Sequence, residues 1–329
     1  MSTFKSFASK LQYCNAGSFQ DIALEIFRYQ AIGNPVYAAF IENLGIDTSR
    51  ISSLDQIPFL PISFFKSQPV KTGAWEPETT FTSSGTTGDK VSRHHVRDLE
   101  FYHHHAQRCF EHFFGPVQDY HFLALLPSYL DREGSSLIAM MEHFIRQSGS
   151  SHSSFFLHDT VKLLQEVIKL KGDRRKTIVW GVSFALMDLA EQYSPDLSHC
   201  MVFETGGMKG RRRELTRQEF HGVLQRKLGI DRVFSEYGMT ELLSQAYMLS
   251  DQRFQTPPWM RIIGREITDP MTKGLLGQTA GINVIDLANW DTASFIETED
   301  VGKVYADGTF EILGRLDNSD VRGCNLMIE

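Results

Sequence analysis

The chain has 329 residues, of which 42% are apolar and 22% are charged, and its formal net charge is −7. This composition is typical of a globular protein and excludes a disordered, collagen-like or coiled-coil chain. An acidic balance argues against DNA or RNA as a ligand, because nucleic-acid binders usually carry an excess of basic residues. No stretch approaches the roughly 18 apolar residues that a membrane span needs. We therefore expect neither a nucleic-acid partner nor a membrane span.

The cysteines and the N-terminal residues indicate the cellular compartment that we expect for the protein. Four cysteines are widely spaced and form no CxxC pair: Cys14, Cys109, Cys200 and Cys324. This spacing favours a reducing compartment and excludes a disulfide framework or a zinc knuckle. The first residues also lack a charged-then-apolar leader. The sequence therefore predicts a cytoplasmic enzyme.

The N-terminal segment is predicted to be helical and then extended. Ser18 and Asp21 form a plausible capping pair for a helix that Asn34-Pro35 ends, and a second helix is predicted from Val36 to Leu44. Three prolines predict an extended path from Ile57 to Val70, with room for an edge strand. We expect residues 1–78 to wrap around the rest of the chain.

From Thr79 onward, predicted strands alternate with predicted helices. The strands are Thr79–Ser83, His121–Leu126, Thr177–Val182, Cys200–Glu204 and Arg232–Ser235. The helices are Asp98–Phe114, Ser135–Gln147, one from Asp159 to Gly172, and one from the Thr216/Glu219 capping box to Gly229. This alternation predicts a largely parallel sheet that is covered by helices on both faces.

After about Gly264 the helical patterns stop and short strands follow. They are Ile282–Leu287, Ser294–Glu297, Lys303–Ala306 and Thr309–Leu313, with a hairpin turn at Asp307-Gly308. The predicted fold class is therefore α/β, with a layered parallel-sheet body followed by a small antiparallel β subdomain. We expect four segments: 1–78, 79–263, 264–316 and a C-terminal tail, 317–329.

The first loop with chemical potential follows the strand Thr79–Ser83. Two glycines, five hydroxyls and a lysine lie between Phe81 and Lys90, so backbone amides and side-chain donors can surround an anion. ATP phosphates suit such a loop, although it is not the Walker pattern. A polar surface turn has the same composition, so this loop alone leaves both interpretations open.

A second polar loop, Ser235–Glu241, also follows a predicted buried strand. Ligands bind at the carboxyl ends of strands in open α/β sheets, so both loops are expected to face one crevice. Tyr237 offers a flat face for a base, Thr240 a donor for phosphate, and Glu241 a carboxylate for Mg²⁺. An acidic helix start beside a buried tyrosine is the alternative for this loop on its own.

Together the two loops resemble those of the adenylate-forming superfamily, which includes acyl-CoA synthetases, peptide-synthetase adenylation domains and firefly luciferase. Ser84–Gly88 is similar to its phosphate loop, and Tyr237–Glu241 to its adenine, phosphate and magnesium motif. Glu297–Gly302 is similar to the segment whose aspartate holds the ribose hydroxyls, and Gly314–Asp317 to the hinge motif. The resemblance covers roughly residues 79 to 329 and implies the fold of the family's large N-terminal domain.

The resemblance also implies the site residues and the cofactors, ATP and Mg²⁺. The nucleotide would be bound by Ser83, Ser84, Gly85, Thr86, Thr87, Gly88, Gly206, Gly207, Tyr237, Gly238, Met239, Thr240, Asp300 and Arg315. Glu241 would hold the metal, and Thr240 and Lys90 would take part in catalysis.

Further segments resemble one branch, the acyl-protein synthetases of bacterial luminescence operons. They are Leu126–Leu130, Gly134–Leu137, Glu204–Arg212 and Arg322-Gly323-Cys324. The sequence ends at Glu329, and no lysine follows Lys303, so we expect the family's small C-terminal domain with its catalytic lysine to be absent. The resemblance implies activation of a fatty acid, or another carboxylic acid, as acyl-AMP. The acyl group would then pass to Cys324, and from there to a reductase partner.

Other interpretations of the same residues stay open. The chain resembles aryl- or acyl-CoA ligases of the phenylacetate type in the same motifs, and a non-catalytic nucleotide-binding scaffold subunit would also keep the ATP loops. A serine hydrolase is disfavoured because no GxSxG motif occurs. Six histidines lie between residues 94 and 112: His94, His95, His103, His104, His105 and His112. Adjacent helical residues point about 100° apart, so we expect solvated or pocket-rim histidines rather than a metal site.

Overall fold

The computed structural model describes residues 3–83, 91–126, 134–156, 159–206, 215–250 and 252–316. The helices in these ranges are α1 (Thr3–Gln12), α2 (Phe19–Gly33), α3 (Pro35–Asn43), α4 (Phe64–Ser67), α5 (Leu99–Phe114), α6 (Ser136–Ser148), α7 (Thr160–Lys169), α8 (Ser183–Tyr193) and α9 (Arg217–Leu228). The strands are β1 (Leu60–Pro61), β2 (Thr79–Thr82), β3 (Arg93–Val96), β4 (Tyr120–Leu125), β5 (Ser154–Phe155), β6 (Lys176–Val182), β7 (Cys200–Thr205), β8 (Val233–Tyr237), β9 (Ala246–Ser250), β10 (Arg253–Gln255), β11 (Met260–Arg265), β12 (Thr279–Asp286), β13 (Phe295–Val304) and β14 (Phe310–Arg315).

One part of the main sheet is parallel, as predicted. Strands β5, β4, β6, β7 and β8 lie side by side in that order, and each neighbouring pair is parallel. The intervening chain forms helices α6 to α9, which supply the crossovers that parallel pairing requires. The carboxyl ends of β7 and β8 therefore lie at the same edge.

Antiparallel strands continue the same sheet beyond β8. The order from β8 is β9, β10, β14, β13, β12 and β11, and β1 pairs with β13 in parallel. The fold class is mixed α/β, as predicted. Antiparallel pairing begins at β9, before the predicted start near residue 264. The division of the chain into four segments stays a prediction.

The predicted strand Thr79–Ser83 is present as β2, but it does not join the parallel sheet. It pairs with β3 in a separate two-stranded antiparallel sheet. The sequence did not predict β3, because Arg93, His94 and His95 interrupt any apolar or β-branched run. The loop between β2 and β3 is therefore carried by a hairpin that packs against the main body.

The core is rich in packed aromatic rings. Trp180, Phe203 and Phe234 project from neighbouring strands, with ring centroids 4.7 Å apart for the first pair and 4.9 Å for the second. Phe114 of α5 packs edge-on against Phe203 at 5.0 Å. These ring contacts hold α5 against the parallel strands.

The N-terminal helices are tied to the connection between β12 and β13 by buried side-chain amides. The side-chain nitrogen of Gln30 donates to the carbonyl oxygen of Asn289 at 2.9 Å, and that of Asn34 donates to Thr292 at 2.8 Å. The Asn34 side chain also caps α3 by accepting from the amides of Val36 and Tyr37. These bonds hold the end of α2 and the start of α3 against the chain between β12 and β13. That residues 1–78 wrap around the rest of the chain stays a prediction, and its expected extended path is interrupted by α4. Within the ranges that the structure describes, no helix is long and apolar enough to cross a bilayer.

Candidate active site

Three predicted nucleotide-binding residues form one hydrogen-bonded network. The hydroxyl of Tyr237, at the end of β8, donates to Oδ2 of Asp300 at 2.8 Å. The Arg315 Nε donates to Oδ1 of the same carboxylate at 3.1 Å. Asp300 and Arg315 are directly opposed in the β13–β14 ladder, which fixes their pairing. The sheet thus brings together residues that are 63 and 15 positions apart in the sequence.

The Asp300 carboxylate is held in a defined orientation. Asp300 is 4% exposed, and its backbone amide donates to the Thr298 hydroxyl at 3.1 Å. An ionised carboxylate can accept about four hydrogen bonds, so two acceptor positions remain after Tyr237 and Arg315. Burial, followed by the nearby charge of Asp300, raises the pKa of Tyr237 well above its ordinary value. The tyrosine therefore stays a neutral donor near neutral pH.

Gly238 is needed because a carboxylate occupies the space of a side chain. A Cβ at this position would lie 2.2 Å from Oε1 of Glu236. The Glu236 side chain accepts a hydrogen bond from the hydroxyl of Thr205 on the neighbouring strand β7. Burial, with a smaller contribution from the charge of Glu204, raises the pKa of Glu236 to about 7. The Glu236 carboxyl group, which is partly protonated near pH 7, therefore lies close to the backbone of Gly238.

Gly206 lies at the end of β7, level with this loop. It adopts a positive φ of 71°, which favours glycine, and its carbonyl accepts a hydrogen bond from the Ser183 hydroxyl at 2.7 Å. This bond fixes the turn where β7 ends. The second glycine of the predicted pair, Gly207, lies outside the described residues.

The end of the second loop is anchored to the β2–β3 hairpin. His94 Nδ1 lies 2.8 Å from the carbonyl oxygen of Thr240, and its Nε2 lies 3.1 Å from the Thr292 hydroxyl. Because a carbonyl only accepts, Nδ1 carries the proton and Nε2 accepts from Thr292. Burial lowers the pKa of His94 to about 4, so the ring is neutral at neutral pH.

Glu241 is buried at the same place. It is 5% exposed, and its backbone carbonyl accepts from the Asn289 side chain at 2.8 Å. Burial raises the pKa of its carboxyl group, while a hydrogen bond with Ser92 and the charges of Arg315 and Lys66 oppose that shift. The hairpin residue Ser92 and the charges of two distant segments therefore all act on this carboxyl group.

The ends of the predicted phosphate loop approach this carboxylate. The Ser83 amide donates to the Ser92 carbonyl at 3.1 Å, and the Ser92 amide donates to the Ser83 hydroxyl at 2.9 Å. Ser92 also bonds Glu241, so the start of the chain that leads into β3 is adjacent to the second loop. The other loop residues, Ser84, Gly85, Thr86, Thr87, Gly88 and Lys90, lie outside the described residues, as does Cys324.

Several residues of this site are not predicted from the sequence. The prolines predict only an extended segment around Lys66, which lies in α4, and no pattern singles out Ser92. His94 was expected to be solvated or at a pocket rim, but it is 1% exposed, and His105 is likewise buried at 3%. A half-buried strand is indicated by alternating apolar and polar residues. Strand β3 lacks this signal, because its residues 93–95 are all polar.

No cluster of three or more potential metal-ligating side chains occurs in the part of the chain that the structure describes. Magnesium needs only one or two carboxylates when substrate phosphates complete its coordination. The buried Glu241 carboxyl group, whose charged form is disfavoured by burial, fits that requirement because a cation would offset the lost solvation.

No protein-family model matches the chain, and no curated protein matches its sequence. Solved structures do match its fold. A 2-hydroxyisobutyryl-CoA ligase in complex with 2-HIB-AMP and CoA superposes with a TM-score of 0.67 at 13% identity, covering 92% of this chain and 70% of that one. ATP-bound MatB from Rhodopseudomonas palustris gives 0.53 at 16% identity, covering 72% and 47%. O-succinylbenzoate coenzyme A synthetase from Bacillus subtilis, bound to AMP, gives 0.51 at 15% identity, covering 74% and 50%.

These similarities concern the fold. The aligned part of this chain corresponds to about half of the length of MatB, 47%, and the identities are low.

Proposed function

We propose that the protein activates a carboxylic acid with ATP to give an acyl-adenylate. The observation that carries this proposal is the Tyr237–Asp300–Arg315 network beside the buried Glu241. The network offers a flat ring, a carboxylate with free acceptor positions, and a cation at one edge of the sheet. A nucleotide has a base, two ribose hydroxyls and phosphates that suit these three groups in turn. The fold's similarity to structures bound to ATP and AMP supports the same assignment.

In this proposal the residues of the chain bind and orient the reactants. Tyr237 lies against the adenine, Asp300 accepts from the ribose hydroxyls, and Arg315 holds Asp300 and reaches the phosphate. Gly206 and Gly207 border the base, and Gly238 and Met239 shape the loop. Donors for the phosphates come from the Thr240 hydroxyl, from Lys90, and from Ser83, Ser84, Gly85, Thr86, Thr87 and Gly88.

The chemistry of the first step is a displacement at the α-phosphorus. A carboxylate oxygen of the acid attacks, the bond to the bridging oxygen of pyrophosphate breaks, and acyl-AMP remains. The protein contributes mainly orientation and neutralisation of phosphate charge. Glu241 would hold Mg²⁺, which supplies further neutralisation of the triphosphate when bound.

We further propose that Cys324 receives the acyl group. Its thiolate attacks the acyl carbonyl, the bond to AMP breaks, and a thioester forms. The neighbouring Arg322 favours the thiolate form. A long-chain fatty acid as substrate and a reductase as the final acceptor follow from the resemblance to acyl-protein synthetases. That resemblance is carried by Leu126–Leu130, Gly134–Leu137, Glu204–Arg212 and Arg322-Gly323-Cys324. Transfer to CoA, as in phenylacetate-type ligases, is the second candidate, favoured by the CoA-bound ligase of similar fold.

Labelling distinguishes these possibilities. The protein is incubated with ATP, Mg²⁺ and radiolabelled tetradecanoate, and it is then separated on a denaturing gel. We expect label on the wild type that hydroxylamine removes, and no label on Cys324→Ser. Cys200→Ser is the matched control, because Cys200 lies in β7 and has no proposed role, and it should be labelled normally.

Three results would contradict parts of the proposal. Unchanged labelling of Cys324→Ser would exclude the acyl site. A soluble acyl-CoA product on addition of CoA, without labelled protein, would favour the ligase. Absence of acid-dependent pyrophosphate release would leave the non-catalytic scaffold subunit as the better interpretation.

A further inference from the structure

A cavity of about 640 Å³ lies away from the candidate active site. Its walls come from the turn between α1 and α2, strand β11, the β11–β12 connection and the β13–β14 turn. None of Tyr237, Glu241, Asp300 and Arg315 lines it. Its volume falls within the range of about 300–1,000 Å³ that is typical of small-molecule sites.

One wall of this cavity carries a cation without a carboxylate partner. Arg261 of β11 lines the cavity, and its guanidinium carbon lies 4.1 Å from the centre of the Phe19 ring. No carboxylate of the described residues is within ion-pair distance of Arg261, which is half-buried. Burial lowers the pKa of this guanidinium, and the nearby Cys14 opposes that shift. The ring covers one face of the planar group and leaves its in-plane N–H donors available.

The other charges around the cavity do not cancel this one. Asp55 supplies an acidic group to the lining, and its Oδ1 accepts from Lys273, another lining residue, at 2.9 Å. That pair is neutral as a unit, so the lining keeps the positive charge of Arg261. The protein as a whole carries −7, so this local excess runs against the overall balance.

Apolar side chains complete the lining. Leu275 and Leu276 are 63% and 58% exposed on the β11–β12 connection, and Pro258 and Ile263 contribute further apolar surface. Two adjacent leucines this exposed beside a cavity mark a surface that a ligand can cover. The cavity therefore combines one unpaired guanidinium with an apolar wall.

We infer that this cavity is a second ligand site, which binds an amphipathic anion with its carboxylate or phosphate head on Arg261 and its apolar body against Leu275 and Leu276. Guanidinium groups bind both kinds of head in a bidentate manner, which gives geometric specificity as well as charge neutralisation. The inference is independent of the proposed acyl-adenylate chemistry, because it uses no residue of that site.

Calorimetric titration tests the inference with octyl phosphate, octanoate and uncharged octanol as probes. The variant Arg261→Met keeps an unbranched apolar chain beside Phe19 but removes the charge. Arg232→Met is the matched control, because Arg232 also lies near a phenylalanine ring but does not line the cavity. We expect Arg261→Met to weaken binding of at least one anion tenfold or more, and Arg232→Met to change it less than twofold.

Further arms separate this site from other binding. Octanol should bind weakly and be insensitive to Arg261→Met, and Leu275→Asp should weaken anion binding while Arg261 is intact. Melting temperatures check that each variant is folded. Equal anion affinity in the wild type and Arg261→Met would overturn the inference, and so would no measurable anion binding at millimolar concentration. Octanoate that binds only at the proposed acid site would be insensitive to Arg261→Met. If octyl phosphate binding were also insensitive to Arg261→Met, the inference would be overturned.

Discussion

The Nδ1 atom of His94 lies 2.8 Å from the carbonyl oxygen of Thr240, a residue 146 positions further along the chain. This bond joins the hairpin that flanks the predicted phosphate loop to the loop that carries Glu241. The same ring accepts from Thr292, so its two nitrogens connect three segments. The relative placement of the two loops depends on this buried, neutral imidazole.

Replacement of His94 should therefore loosen the site. His94→Leu leaves the Thr240 carbonyl and the Thr292 hydroxyl without their partner, and we expect a loss of about 1–3 kcal/mol in the free energy of unfolding. Affinity for ATP should fall as well. Urea unfolding and calorimetry measure the two effects, with the exposed His104→Leu as control. If His94→Leu is less stable than the wild type but binds ATP equally well, the His94–Thr240 bond contributes to stability and not to nucleotide binding.

Glu236 should make stability depend on pH. Its pKa is about 7 in the folded protein, against 4.5 in the unfolded chain, so the folded state holds the additional proton between these values. The contribution of Glu236 to stability is therefore present below pH 4.5 and is lost as the pH rises through 7. Between pH 4.5 and 7, the free energy of unfolding falls by about 3 kcal/mol through this group. The variant Glu236→Gln should lack this loss and be more stable than the wild type at pH 8, as measured by urea unfolding. Parallel stability profiles for both proteins between pH 4.5 and 8 would contradict the assignment.

Gly238 should not tolerate a side chain. In Gly238→Ala the new Cβ would lie 2.2 Å from the Glu236 carboxyl group, so either that group or the loop must move. We expect at least a tenfold loss of acid-dependent pyrophosphate release. Gly314→Ala is the control, because no atom lies within 4 Å of its added Cβ. The double variant Glu236→Ala/Gly238→Ala should recover part of the activity relative to Gly238→Ala, and no recovery would argue against the steric explanation.

Asp300 should be needed for nucleotide binding. In Asp300→Asn an amide replaces one of the two oxygens that accept from Tyr237 and Arg315, so the network loses its charge and one acceptor. We expect ATP affinity to fall at least tenfold in calorimetry. Asp307→Asn, in the exposed β13–β14 turn, should bind ATP normally. Equal ATP affinity in Asp300→Asn and the wild type would remove Asp300 from the proposed site.

Much of this arrangement follows from local sequence patterns. The Thr216/Glu219 capping box begins α9 as predicted, and the buried strands β4, β6 and β7 match their apolar runs. Helix α8 was not predicted, because it follows β6 directly and has no side-chain cap to indicate its start. The grouping of Tyr237, Asp300 and Arg315 was expected only from the resemblance.

The remaining features depend on contacts between distant segments. The neutral state of His94 comes from burial, and no local pattern around His94-His95 distinguishes the buried ring from its more exposed neighbour. The raised pKa of Glu236 likewise requires its burial near Glu204 on the adjacent strand. The charge of Lys66 acts on Glu241 because the N-terminal segment packs beside β13 through β1.

Acid-dependent exchange of labelled pyrophosphate into ATP tests the central claim most directly. We expect exchange by the wild type and by Glu266→Ala, whose exposed carboxylate lies on the β11–β12 connection. Glu241→Ala should retain its fold, as judged by its melting temperature, and lose about a hundredfold or more of the exchange rate. Exchange by Glu241→Ala at the wild-type rate under limiting Mg²⁺, or no acid-dependent exchange by the wild type with any of a panel of fatty and aromatic acids, would contradict the account.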